Sequence, residues 1–342
     1  MKVSVAPLRK RLPSRHHLLT MGGALVFVVG LLLSLPTLIV WEQTSALHRL
    51  ATEPFPVTVN PKEKAITENP AVDQQLQNHG FSLSAAGSFL GDIIGNLADT
   101  IVQTGWYSSL AQAGGVHFVT ITPGFRKEQV ARAFAKALGW NSEETQAFLA
   151  DAGVSVLPVI EGTFSPGTYV VNENQTPEET NALIDDRFQT EILAHYGDTT
   201  QTAVPLADAL TIASMIERET SDKDDMRMIS GIIWNRLFQN MKLQIDATVQ
   251  YAKASAKHGA TGWWPIVAHQ DLFLSSPYNT YQDKGLPPGP IANPSVAAVL
   301  AALNPKKTDC VFYFHDNDRE FHCSATYEEH VALLKKYFGR GR

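Results

Sequence analysis

Along the chain the hydrophobic pattern changes period several times, and each change marks a predicted element. Uncharged residues run without a break from Leu18 to Val40. At about 1.5 Å per residue that run spans roughly 34 Å, enough to cross the core of a bilayer. Lys2, Arg9, Lys10, Arg11 and Arg15 precede it and Trp41 follows. The pattern predicts a cytoplasmic basic tail over 1–17, one transmembrane helix over 18–41 and an extracytoplasmic remainder. A signal peptide fits less well, because its apolar region is about 7–15 residues and Thr44-Ser45-Ala46 is only a faint cleavage site. Residues 42–82 are polar and hold Pro54, Pro56, Pro61 and Pro70, the composition of a tether. Phe89, Leu90, Ile93, Ile94, Leu97 and Ile101 recur at helical spacing, so 83–115 reads as a helical connector whose role the pattern does not define.

Val116–Ile121 reads as a strand, Pro123-Gly124 as a turn, and Lys127–Leu138 as a helix burying Val130, Ala133, Phe134, Ala137 and Leu138. A short helix carrying Phe148 and Leu149 follows, then a turn at Pro166-Gly167. The next predicted helix, Thr176 to Tyr196, has Leu183, Ile184, Phe188, Ile192 and Leu193 in core positions.

Leu206, Ala209, Leu210, Ala213 and Ile216 then recur at three- and four-residue steps and lead into Glu217-Arg218-Glu219-Thr220. Residues two apart on a helix point to nearly opposite sides, so each glutamate lies at an edge of the apolar stripe. A carboxyl pressed against apolar neighbours stays protonated near neutral pH, which suits a general acid. A solvated pair of helix-end glutamates explains the same residues, and periodicity alone leaves Glu217 and Glu219 equivalent.

Ser221 is the expected N-cap of the next helix, with Asp222 and Asp224 in its first turn and Met226, Ile229, Ile233 and Leu237 on its apolar side. Ser275–Pro294 has neither helical nor strand pattern. There Tyr278, Asn279, Thr280 and Tyr281 offer hydroxyls and an amide beside aromatic faces, suited to a sugar cleft or to a rigid strap. Asn293 is predicted to cap a helix over Ser295–Leu303, with Pro294 in the first turn. Asp316-Asn317-Asp318-Arg319 between Cys310–His315 and Glu320–Ser324 predicts a hairpin. Any even-length loop there puts Cys310 and Cys323 on one face, directly opposite for a two-residue turn and diagonal for four. A disulfide persists outside the cytoplasm, but its geometry is demanding, and the pairing stays open.

With 342 residues, 44% hydrophobic and 18% charged, the chain fits about two folded domains. A net charge of −6 speaks against a nucleic-acid partner. Two cysteines and scattered histidines lack tetrahedral metal spacing, and no phosphate loop or Gly-x-Ser-x-Gly occurs, so neither a metal nor a cofactor is expected.

Four motifs in order, Glu217–Thr220 with Asn235-Arg236, Met241–Tyr251, Ser276–Tyr281 and Gly285–Pro294, resemble the YceG-like family of membrane-anchored endolytic murein transglycosylases. The likeness covers roughly Val116 to Phe338 and is densest from Ile212 to Pro305. It implies an α+β fold, with a small LysM-like βα subdomain over 116–170 and a mixed α/β catalytic domain over 171–342. The family shows Ile-Pro-Glu-Gly where this chain has Ile121-Thr122-Pro123-Gly124, and an Asp where it has Gly167. The family's catalytic glutamate is the second of the pair, which breaks the tie in favour of Glu219. The resemblance then implies cleavage of the bond between N-acetylmuramic acid and N-acetylglucosamine with a 1,6-anhydro end, terminating strand elongation. Glu217, Asn235, Gln244, Asp246, Asn279 and Tyr281 become candidate substrate-cleft residues. Peptidoglycan strands are the implied substrate and the cell-wall synthases candidate partners, at the outer face of a membrane. Two readings stay beside this one: a lysozyme-like muramidase with Asp246 as second carboxylate, and a non-catalytic glycan-binding scaffold.

Overall fold

The computed structural model describes residues 54–70, 72–73, 114–151, 161–260 and 262–339, with single positions at 104, 109 and 112. The predicted span over 18–41 and the Phe89–Ile101 helix lie outside the described residues. Among the described residues no helix is long and apolar enough to cross a membrane.

The stretch from residue 54 to 73, expected as tether, packs into the main core instead. Phe55 and Val59 are 2% and 3% exposed. Strands β1 (Val59–Asn60) and β2 (Ala65–Ile66) form a small hairpin. The backbone around them is tied down as well: Thr58 N donates to Leu303 O and Asn304 Nδ2 to Pro56 O. Polar residues and prolines dominate this segment by count, yet a few apolar side chains suffice to dock it.

Next comes a β-α-α-β unit. Strand β3 (Val116–Ile121) is followed by α1 (Lys127–Leu138) and α2 (Ser142–Asp151), and β4 (Gly167–Asn172) returns antiparallel to β3, with Val116 opposite Asn172 and Ile121 opposite Gly167. Its core holds Ile121, Val130, Phe134, Phe148, Phe164 and Tyr169. Gly167 has φ +146°, a conformation that strains any other residue, and a Cβ there would have to displace the Arg187 guanidinium. Helix α3 (Pro177–Glu191), capped by Thr176 and Glu179, joins two cores: Ile184 belongs to this one and Phe188 to the larger one. The predicted helix to Tyr196 instead ends at Glu191, and a 3-10 turn, Leu193–His195, follows.

After α4 (Asp198–Ala203), α5 (Leu206–Glu219) runs through the middle of the large core. Helices α6 (Lys223–Phe238), α7 (Asp246–Ala256) and α8 (Val296–Leu303) all pack on it. The expected stripe is in fact a fully wrapped helix, since every residue from Ala209 to Ile216 is buried. Its polar members find partners inside: Thr211 Oγ1 donates to Ala207 O at 2.7 Å and Ser214 Oγ to Thr211 O at 2.8 Å. The caps also differ from expectation by one or two residues. Asp222, not Ser221, caps α6 by accepting from Asp224 N and Asp225 N, and Ser295, not Asn293, caps α8. Strands β5 (Phe312–His315) and β6 (Phe321–Ser324) form the predicted hairpin, and α9 (Tyr327–Phe338) closes the described chain. With three antiparallel strand pairs set among helices, the described residues are of the α+β class.

Candidate active site

Burial ends abruptly at the last turn of α5. Ile216 is fully buried, whereas Glu217, Arg218, Glu219 and Thr220 are each half-buried. The core thus presents two carboxyls at its own rim. Tyr313 of β5 donates its hydroxyl to Glu219 Oε2 at 2.9 Å. Burial raises the Glu219 pKa; the Tyr313 hydrogen bond opposes that rise, and the charge of Asp246 adds to it. Burial, together with Glu219, in turn raises Tyr313 far above the usual phenol range.

Ile245 occupies the cap position of α7, and Asp246 is its first helical residue, exposed, accepting the Tyr281 hydroxyl at 2.7 Å. Gln244, just before it, adopts a left-handed backbone (φ 55°) and accepts from Arg236 Nη1 at 3.2 Å. Arg236 is itself buried against main-chain carbonyls, donating to Val311 O and Leu243 O at 2.6 Å each. Glu219, Tyr313, Asp246, Tyr281 and Gln244 therefore gather at one rim, with Arg236 behind them.

The other three candidates hold the walls. Glu217 Oε2 accepts from both Ser295 N (2.9 Å) and Ser295 Oγ (2.6 Å), locking the N-terminus of α8 to the end of α5. Asn235 Nδ2 donates to Thr308 O and Cys310 O, bracing the chain that enters β5. Asn279 is fully buried, donating to Leu272 O and Leu274 O and accepting from Tyr281 N, so it shapes the loop that carries Tyr281.

The hairpin bearing Tyr313 is fastened at both ends. Cys310 and Cys323 form a disulfide with Cα atoms 5.8 Å apart. The loop between the last ladder pair, His315 and Phe321, has an odd rather than an even number of residues. The bridge still closes because Cys310 precedes the ladder and is not bound by its alternation. At the tip side His315 Nε2 lies 3.0 Å from Asp225 Oδ2.

Against this rim sits the β-α-α-β unit. Gly124 N donates to Asn293 O and Asn293 N to Phe125 O. Asn293, freed from the expected capping role, accepts from Gly162 N and Phe164 N and donates to Phe125 O and Glu161 Oε1. Glu161 is fully buried, takes Lys127 N at 2.8 Å, and is pushed up to about 8 by burial and by neighbouring Glu128. Gly124 (φ +79°) lies against Arg218 and Glu217, where a side chain would crowd the arginine. Tyr313 and His315 were not singled out as site residues, their one hint being the hairpin that carries them, whereas Arg236 stood in the Asn235-Arg236 motif without an assigned role.

The YceG-like family model matches residues 72–336. The chain belongs to the YceG-like family. It is 30% identical over 240 residues to an endolytic murein transglycosylase of Bacillus subtilis, an alignment covering 64% of each chain. An endolytic murein transglycosylase of Streptococcus pneumoniae is 27% identical over 226 residues, 58% of this chain and 40% of that one. The chain thus spans less than two thirds of the length of these relatives. A YceG-like protein of Listeria monocytogenes, of known structure, superposes with a TM-score of 0.54 at 26% identity, covering 63% of this chain and 75% of that chain. The family match takes in every candidate site residue of this YceG-like chain.

Proposed function

We propose that this chain is a membrane-anchored endolytic transglycosylase that cuts peptidoglycan strands without water. The observation that carries the reading is Glu219: a carboxyl at the rim of a buried helix, raised by burial, with one oxygen taken by Tyr313. The family membership and the names of the relatives support the substrate class.

As general acid, Glu219 protonates the glycosidic oxygen leaving C1 of the muramic acid unit, and the C1–O bond breaks through an oxocarbenium-like state. The Glu219 carboxylate then takes the proton of that sugar's C6 hydroxyl as its oxygen bonds C1. The proton count closes on one residue, and a 1,6-anhydro end forms. The C6 hydroxyl is held within reach of C1 by the ring itself, so no second activated nucleophile is required. Tyr313 occupies Oε2 and so leaves Oε1 to carry the proton. The β-α-α-β unit is read as a LysM-like glycan-binding module beside the cleft. The run over 18–40 is read as the anchor that keeps the site outside the cytoplasm, near the synthases that make its substrate.

A second reading has one observation in its favour. Asp246 acts electrostatically on Glu219 and is exposed, as the second carboxylate of a water-using muramidase would be. Mass spectrometry of strands cut in ¹⁸O-labelled water separates the two. The lyase gives 1,6-anhydro ends with no ¹⁸O, and Asp246→Asn leaves that product unchanged. Reducing, labelled ends would instead make Asp246 the catalytic partner. A scaffold role predicts no cut ends at all.

A further inference from the structure

Between the two glutamates of α5 lies a cation on which Glu217 and Glu219 act only through space, with no direct contact from either. Among the described residues Arg218 has neither an ion pair nor a hydrogen bond, and its Nε is buried without a partner. Its guanidinium carbon sits 3.9 Å from the centroid of the Trp264 ring. Trp264 is itself fixed, donating Nε1 to Gln129 Oε1 at 3.1 Å. The turn at Gly124 closes another flank, where a Cβ would fall 3.1 Å from Arg218 Nη1. Three pieces of chain, the β3–α1 turn, α1 and the loop after α7, thus hold one guanidinium in place. The adjacent carboxylates are engaged elsewhere, Glu217 with Ser295 and Glu219 with Tyr313. The residue is half-buried and only its Nε is sealed off, so the terminal nitrogens keep access to solvent.

An arginine stays charged at any pH the fold survives, and a partly desolvated charge without an acceptor is costly. Stacking on a ring leaves the planar fork pre-oriented for a two-oxygen acceptor. We propose that Arg218 binds a carboxylate of the substrate strand beside the bond to be cut, and so selects strands by their acidic groups. The inference rests on the reading of this rim as a peptidoglycan cleft. Such strands carry carboxylates in two places: the lactyl group of peptide-free muramic acid units, and the peptide stems of substituted ones.

The test measures binding by the full-length chain in detergent micelles, with Glu219→Gln in place so that strands are not cut. Three kinds of strand are compared: peptide-bearing with free carboxylates, the same strands with those groups amidated, and peptide-free strands. Amidation is expected to weaken binding about 10- to 100-fold, the usual range for a hydrogen bond to a charged group. Adding Arg218→Gln is expected to bring free-acid strands down to the amidated level, and Arg218→Lys to recover part of the difference. A preference for peptide-bearing strands assigns the carboxylate to the stem, and a preference for peptide-free strands assigns it to the lactyl group. Equal binding of peptide-bearing strands before and after amidation, together with no preference for peptide-free strands, overturns the proposal while leaving the cleft reading intact, and needs no Arg218 variant. A preference that persists in Arg218→Gln also overturns it. Binding to none of the strands overturns the cleft reading, and this inference with it.

Discussion

At the end of α5 two carboxyls of the same chemistry face different partners: a phenol hydroxyl for Glu219, a serine at a helix N-terminus for Glu217. Their substitutions should therefore fail in different ways. Glu219→Gln keeps the shape and removes the proton, so cleavage should fall by about 10²–10⁴ while strand binding persists. Glu217→Gln should cost about 1–2 kcal/mol of stability, read as a lower Tm, with cleavage within tenfold of the parent. The reverse pattern would exchange their roles. Tyr313→Phe tests the third member. The lost hydrogen bond favours the charged carboxylate, so its removal raises the Glu219 pKa further and moves the basic limb of kcat/KM to higher pH. An unmoved limb would take Tyr313 out of the mechanism. Glu219 was named as the candidate acid from the family resemblance of its motif, but Tyr313 lies 94 positions away and meets it only through folding.

Among the elements, the β5–β6 hairpin matters most, because it carries Tyr313 to the site. Its disulfide spans 13 positions of sequence. Thiol labelling of the denatured, unreduced protein should find no free thiol, and two labelled cysteines would refute the bridge. Replacing both cysteines by serine should cost about 2–4 kcal/mol and reduce cleavage by loosening Tyr313. The hairpin was legible from a polar turn between two alternating runs, whereas its register was not. Register depends on loop length and on side-chain packing against α9, neither of which a turn signature specifies. Helix caps slipped for a similar reason. Ser221, Asp222, Asn293 and Ser295 all suit a cap, and the packed structure chose Asp222 and Ser295 while spending Asn293 on the junction.

For the whole molecule, the buried Glu161 joins the β-α-α-β unit to the large core through Lys127, Asn293 and Tyr251. Its folded pKa of about 8 exceeds the ordinary 4.5, so the folded state keeps a proton that the unfolded state releases. The sign follows: stability should fall as pH rises from about 4.5 to 8 and level off above, by a few kcal/mol in total. Glu161→Gln should flatten that part of the Tm profile, and a profile identical to the parent's would show that Glu161 does not titrate there. Topology gives a simpler prediction. A reporter fused after Arg342 should work only outside the cytoplasm, and cytoplasmic activity would reverse the proposed orientation.

By itself the sequence determined the helices whose apolar period is strong and the β5–β6 hairpin, and it marked Glu217 and Glu219 as the carboxyls at the end of α5. These are local patterns, or motifs written in consecutive residues. Tertiary structure decided the rest. It buried α5 on all sides, because the helix that follows it and two others from farther down the chain converge on it. It turned residues 54–73 from a spacer into part of the core, because Phe55 and Val59 find a surface built by residues far downstream. It paired β3 with β4 across two helices, and it separated the cleft candidates into rim and wall. Periodicity records which face of an element is apolar, but not which other element will cover it. The partners of a carboxyl follow from that covering alone.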